Sequence, residues 1–165
     1  MSVLGELQPN KVFKYFEEIC SIPHGSRNLQ QISDYLVDFA KAHELKYRQD
    51  EDLNVIIWKD GSKGYEASEP VILQGHMDMV AVKEADCDKD MEKEGLDLEI
   101  NGDYISAKGT SLGGDDGIAV AYTLAVLDDE EMAHPPIEAI FTVNEEIGML
   151  GAATIDGTFI YEHGF

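Results

Sequence analysis

Apolar residues recur at helical spacing in the first quarter of the chain. This pattern predicts a helix over residues 9–22, which Pro9 suits as a start, and a second helix over residues 28–43. The apolar positions on the two helices are Val12, Phe13, Phe16, Ile19 and Cys20, then Ile32, Tyr35, Leu36, Phe39 and Ala40. Such faces are typical of helices that pack against a hydrophobic core.

Strand patterns follow the two helices. Residues 46–50 form a short polar strand, and residues 54–59 form a strand that is closed by a turn. Residues 71–75 are a continuous apolar run after Pro70, a pattern typical of a buried central strand. Residues 137–143 are predicted to form a second buried strand of the same kind.

The segment between these two apolar strands is more varied. Residues 83–95 are charged and lack periodicity, which indicates a surface loop. Strands at residues 96–100 and 104–107 flank an Asn-Gly-Asp turn and predict a hairpin. A glycine-rich turn, residues 109–114, then leads to a well-buried helix at residues 118–128.

Strands that alternate with helices predict an α/β fold. A short helical turn at residues 152–156 is the last predicted element. Ligand sites in such folds form outside the carboxyl ends of the strands. Polar residues that directly follow a buried strand, or the glycine-rich turn, are therefore the first candidates for a functional site.

Composition narrows the class of protein. The chain has 165 residues, of which 44% are hydrophobic, enough for one domain with a core. It carries 33 acidic against 12 basic residues, a net charge of −21 that repels nucleic acid and anionic membranes. Cys20 and Cys87 lie in no metal-binding spacing and are expected to be reduced thiols. With no signal peptide and no apolar run of about 20 residues, we expect a soluble, cytoplasmic protein without nucleic acid or membrane partners.

The first candidate cluster follows the strand at residues 71–75. His76 offers a neutral imidazole, which is a good zinc ligand. Residues two apart in an extended segment point to the same side, so Asp78 is placed to accept a hydrogen bond from the second ring nitrogen of His76. On its own this pair is more often structural than catalytic.

Two further acidic clusters follow along the chain. Asp115 lies in Gly-Gly-Asp-Asp-Gly, where glycines bring a carboxylate into a crowded site, although aspartate is also a favoured helix N-cap. Glu145 and Glu146 directly follow the strand at residues 137–143, where an ordinary solvated loop is the alternative. Together the three clusters supply imidazole and carboxylate ligands plus a spare carboxylate for a general base, which indicates a metal-dependent hydrolase.

The same three segments carry a family resemblance. The chain resembles the co-catalytic dizinc metallopeptidases that include aminoacylase, carboxypeptidase G and peptidase T, and within them the bacterial aminoacyl-histidine (Xaa-His, carnosinase-like) dipeptidases. The matching segments are residues 71–80, 108–119 and 141–149, with a similar N-terminal stretch at residues 9–27. The resemblance implies a three-layer αβα catalytic domain with a mixed central sheet.

The resemblance also implies roles for individual residues. His76 and Glu146 would each bind one of two divalent metal ions, zinc in the first instance with manganese or cobalt also suitable, and Asp115 would bridge them. Asp78 would orient His76, and Glu145 would be the general base of dipeptide hydrolysis. The family further suggests a cis peptide bond between Asp115 and Asp116.

The chain departs from the family pattern in its length. Family members add a further carboxylate ligand, an inserted second domain and a distant histidine ligand, and neither Glu162 nor His163 matches these motifs. We therefore expect residues 1–165 to be the N-terminal segment of the catalytic domain, weakly active or inactive alone, whose full-length form is a homodimer. Two alternatives remain: a truncated, non-catalytic homologue that acts as a metal-binding or interaction module, and an acidic structural domain.

Overall fold

The structure is a computed structural model, and it describes residues 2–160. The interpretation of Glu162 and His163 therefore lies outside the described residues. The elements in chain order are α1 (Asn10–Cys20), α2 (Gln30–Ala42), β1 (Lys46–Gln49), β2 (Val55–Lys59), β3 (Val71–His76), β4 (Leu98–Asn101), β5 (Tyr104–Ala107), α3 (Gly114–Leu127), β6 (Ile137–Thr142), α4 (Leu150–Thr154) and a single 3₁₀ turn, Gly157–Phe159.

Four strands form one mixed sheet in the order β1-β2-β6-β3. The β1–β2 and β2–β6 pairs are antiparallel, whereas β3 and β6 run parallel. All six residues of β6 are buried, as the continuous apolar run predicts for a central strand. The predicted hairpin is present as a separate two-stranded sheet of β4 and β5.

The prediction that β3 is a central strand is wrong for the described residues. β3 pairs with β6 on one side only and forms an edge of the sheet. Val71 is 44% exposed, and Gln74 is also exposed. A continuous apolar run indicates that both faces of a strand can be buried. It does not indicate how many neighbouring strands pair with it, so it cannot distinguish a central strand from an edge strand.

One face of the sheet carries the hydrophobic core. Ile57, Ala139 and Leu73 lie side by side across β2, β6 and β3, and they pack in one cluster with the apolar faces of α1, α2 and α3. Helix α3 packs on β3 and on α1, and α2 packs on β1 and β2. The apolar face of α2 therefore covers the sheet, and that of α1 packs on α3. Both faces belong to the hydrophobic core, as their spacing predicts.

The opposite face is covered differently. Ala152 and Ile155, in and after α4, line a cavity together with Ile140 of β6.

The arrangement of helices on a mixed sheet confirms the predicted α/β class. No helix within residues 2–160 has the length and apolar character needed to cross a lipid bilayer.

Candidate metal centre

The parallel pairing of β3 and β6 brings two candidate clusters to one edge of the sheet. His76, the last residue of β3, lies directly beside Thr142, the last residue of β6. Parallel neighbours have their carboxyl ends on the same side, so the segment that follows each strand faces the other. Glu145 and Glu146 therefore emerge next to His76.

His76, Asp115 and Glu146 converge at this edge. Each offers one ligand atom, and the three atoms lie within 4.8 Å of one another. His76 Nε2 is 3.1 Å from Asp115 Oδ1 and 3.8 Å from Glu145 Oε2. The His76 side chain is 9% exposed, whereas the Asp115 side chain is 86% exposed. The ring nitrogen of a buried histidine and the carboxylate of an exposed aspartate thus lie next to each other.

Irregular backbone at the start of α3 delivers Asp115. Gly113 has φ of +68°, a left-handed conformation that glycine adopts easily, and an added Cβ there would lie 2.8 Å from Met79 Sδ. Asp115 and Asp116 have non-helical backbone angles, and the peptide bond between them is cis, as the resemblance implies. The turn places the two carboxylates on different sides.

The helix-cap alternative applies to Asp116 rather than to Asp115. The Asp116 carboxylate accepts hydrogen bonds from the backbone amides of Ala119, three residues on, and of His76. Burial raises the pKa of Asp116, and these hydrogen bonds oppose the effect. Asp116 therefore caps α3 and ties it to β3, which leaves the neighbouring Asp115 pointing into the cluster.

The ring of His76 is oriented by a main-chain group. Its Nδ1 lies 2.9 Å from the carbonyl oxygen of Asp78 and 3.5 Å from the Asp78 carboxylate. A carbonyl oxygen can only accept, so Nδ1 carries a proton. Nε2 faces Asp115, where it donates a hydrogen bond when the ring is protonated and offers its lone pair to a cation when the ring is neutral. The expected contact between Asp78 and His76 is thus made by the backbone, and the carboxylate is free for other donors.

Electrostatics around His76 favour positive charge. Burial lowers the pKa of His76, but the hydrogen bonds with the Asp78 carbonyl and the Asp115 carboxylate, together with the charges of Asp78 and Asp116, outweigh burial and raise it. A cation at Nε2, either a proton or a metal ion, is what this group of carboxylates stabilises.

The Asp78 carboxylate joins three parts of the chain. It is 1% exposed, and its oxygens accept hydrogen bonds from Ser26 Oγ at 2.7 Å and from the backbone amides of Glu145 at 3.0 Å and Glu146 at 3.4 Å. The Oδ1 atom of Asn144 in turn accepts from the Arg27 amide at 2.8 Å. Ser26 and Asn144 were missed by the sequence reasoning, because no local pattern links residues separated by 52 or 117 positions.

The structure has one cavity at the cluster and a larger one lined by other residues. One, of about 520 Å³, is lined by His76, Asp115 and Glu145 and by the apolar side chains of Ile140 and Ile155. A larger one, of about 1090 Å³, lies between residues 25–28 and residues 79–93. Small-molecule sites usually have volumes of about 300–1,000 Å³. The smaller cavity falls within this range, and the larger one lies just above it.

The donor set fits a divalent transition metal. One imidazole nitrogen and two carboxylate oxygens are ligands that zinc accepts, and manganese and cobalt share this preference. The Nδ1–H of His76 has its hydrogen-bond partner, the arrangement that fixes a metal-binding tautomer. The chemistry of the residues therefore agrees with the metal site that the sequence predicts.

Comparison with known proteins finds similarity to dipeptidases. No protein-family model matches it. It is 40% identical over 160 residues to the cytosol non-specific dipeptidase of Escherichia coli (strain K12), a match that covers 97% of this chain and 33% of that protein. The aminoacylhistidine dipeptidase of Vibrio alginolyticus superposes with a TM-score of 0.93 at 38% identity, over 96% of this chain and 32% of that one.

A more distant structure supports the fold. A tripeptidase from Staphylococcus aureus superposes with a TM-score of 0.74 at 24% identity, over 93% of this chain and 41% of that one. The chain is thus similar to dipeptidases over nearly all of its own length, which confirms the dipeptidase resemblance that its motifs indicate. It spans about a third of the length of the dipeptidases it matches.

Proposed function

We propose that this chain carries part of the active site of a metal-dependent dipeptidase that acts on Xaa-His dipeptides of the β-alanyl-histidine type. The convergence of His76, Asp115 and Glu146 within 4.8 Å is the observation that carries the proposal. The relationship to two dipeptidases, one of them named for aminoacyl-histidine substrates, supports the substrate class. The cytosolic relative also supports a cytoplasmic location.

The residues divide the chemistry between them. His76 and Glu146 would hold one divalent ion each, and Asp115 would lie between the two ions. Bound metal ions would supply an acidified water and a Lewis acid for the substrate carbonyl. Glu145, whose Oε2 lies 3.8 Å from His76 Nε2, would take the proton from the attacking water and pass it to the leaving amine.

A metal titration tests the ligand assignment. We expect Co²⁺ to bind the purified chain with a visible absorption spectrum, and His76→Ala or Glu146→Ala to weaken that binding about tenfold or more. Glu145→Ala should leave the affinity nearly unchanged, because Glu145 acts on water and not on the metal. Loss of binding in Glu145→Ala with retention in Glu146→Ala would reverse the two roles.

We also propose that the 165-residue chain alone hydrolyses dipeptides poorly. Within residues 2–160 one group of three ligand side chains converges, whereas two ions need more protein ligands than three. Incubation of the purified chain with β-alanyl-histidine and Zn²⁺ should release histidine only slowly. Rapid zinc-dependent release that disappears in Glu145→Ala would contradict this part of the proposal.

A non-catalytic metal-binding module is the second candidate function. The small ligand set favours it, and so does the share of the relatives that the chain covers, about a third. The two functions differ in one measurement. A module binds Co²⁺ yet shows no hydrolysis even when the remaining two thirds of the E. coli relative are supplied as a second chain, whereas a dipeptidase segment gains Glu145-dependent activity.

A further inference from the structure

The loop of residues 24–28 is bound to both segments that carry candidate ligands. The backbone of His24 and Ser26 exchanges two hydrogen bonds with Met79, at 3.1 and 3.2 Å, just beyond the end of β3. On the other side, the Arg27 amide donates to Asn144 Oδ1, just beyond the end of β6. Arg27 has φ of +72°, an uncommon conformation for a residue other than glycine.

The buried carboxylate of Asp78 is the point where these connections meet. The carboxylate accepts three hydrogen bonds. The shortest, 2.7 Å, comes from Ser26 Oγ, and the other two come from the amides of Glu145 and Glu146. The same oxygen, Oδ2, accepts from Ser26 and from Glu146. The orientation of the carboxylate therefore bears on the backbone of Glu146 through Oδ2 and on that of Glu145 through Oδ1.

We propose that Ser26 is a positioning residue for the candidate metal centre. Its hydroxyl fixes the Asp78 carboxylate, and the carboxylate holds the backbone of Glu145 and Glu146 so that the Glu146 side chain meets His76 and Asp115. The consequence for metal affinity rests on the proposed function, but the effect on the backbone does not require a metal ion.

Hydrogen exchange of the metal-free chain tests the positioning directly. In Ser26→Ala we expect the amides of Glu145 and Glu146 to exchange about tenfold faster, because a carboxylate without its hydroxyl partner accepts from them less well. Ser106→Ala is the matched control, since Ser106 Oγ also donates to a carboxylate, that of Glu99 at 3.1 Å in the β4–β5 hairpin. Ser26→Thr, which keeps the hydroxyl, should exchange like the unaltered chain.

The outcomes separate this inference from the proposed function. Unchanged exchange in Ser26→Ala, or faster exchange throughout the chain, would overturn the positioning role, since the second result indicates general loss of stability. Locally faster exchange supports it. A Co²⁺ titration then gives the consequence: we expect affinity about tenfold weaker in Ser26→Ala and unchanged in Ser106→Ala. If the unaltered chain binds no Co²⁺ while local exchange still rises, the positioning stands and the metal site fails.

Discussion

Two aspartates at the same edge of the sheet have opposite surroundings. Asp78 is 1% exposed and accepts three hydrogen bonds from the chain, whereas the Asp115 side chain is 86% exposed and contacts the ring of His76. Asp78 belongs to a supporting layer that the protein stabilises by itself. Under the proposed function, Asp115 belongs to a ligand layer whose charge would be met by a cation from solution. The two aspartates differ in burial and not in residue type.

The largest expected effect tests this contrast directly. Asp78→Ala leaves the Ser26 hydroxyl and the amides of Glu145 and Glu146 without their acceptor, and we expect a loss of about 4 kcal/mol in the free energy of unfolding. Asp115→Ala should change that free energy by less than about 0.5 kcal/mol, as surface substitutions usually do. Urea unfolding of the metal-free variants measures both. Equal losses in the two variants would remove the distinction between the layers.

Metal titration of the Asp115 variant completes the contrast. We expect Asp115→Ala to lower the affinity for Co²⁺ about tenfold or more while its folding is unaffected. Absorption spectroscopy gives the affinity, and circular dichroism provides the control for folding. Normal affinity in this variant would show that the exposed carboxylate is not a ligand.

A smaller effect is expected where the supporting layer meets the turn before α3. Gly113→Ala adds a Cβ at a left-handed position, 2.8 Å from the sulfur and 3.2 Å from the Cβ of Met79, a residue that is 2% exposed. We expect a loss of about 3 kcal/mol, the sum of backbone strain and overpacking. Gly102→Ala, at φ of +63° with no atom within 4 Å, is the matched control and should lose about 1 kcal/mol. Similar losses in both would mean that packing at Met79 is looser than it appears in the structure.

The smallest effect concerns a carboxylate that supports structure away from the site. Burial raises the pKa of Glu17, but hydrogen bonds from the Ser2 hydroxyl and the amides of Val3 and Leu4 outweigh it and lower the pKa below 4.5. A lowered pKa means that ionised Glu17 stabilises the fold above about pH 4.5, and that this contribution is lost as the pH falls through the folded-state value.

Thermal unfolding between about pH 5 and pH 3 measures the contribution of Glu17. The melting temperature should fall less with pH in Glu17→Gln than in the unaltered chain. Glu6→Gln, at an exposed position, should behave as the unaltered chain does. A parallel decline in all three proteins would show that Glu17 does not contribute.

The sequence predicts the secondary-structure elements and the convergence of the candidate ligands better than it predicts the contacts that hold these parts together. Periodicity gives α1, α2 and β6 within a few residues, because their apolar spacing reflects burial directly. It fails for the edge position of β3, which depends on pairing with a strand 66 residues later. It fails equally for Ser26, whose hydroxyl meets Asp78 only after the chain has folded. Short polar motifs mark what can bind a metal, but not what holds the motif in place.

The position of β6 in the sheet has a consequence for how the molecule is made. β6 lies between β2 and β3, yet it is the last of the six strands within residues 2–160. β2 and β3 therefore remain without their common neighbour until residue 142 has left the ribosome. Contacts between such distant segments form slowly, and the apolar face of β3 stays exposed while synthesis proceeds. Nascent chains that pause before Ile137 should for that reason depend on chaperones, and the residues of the candidate metal centre can converge only afterwards.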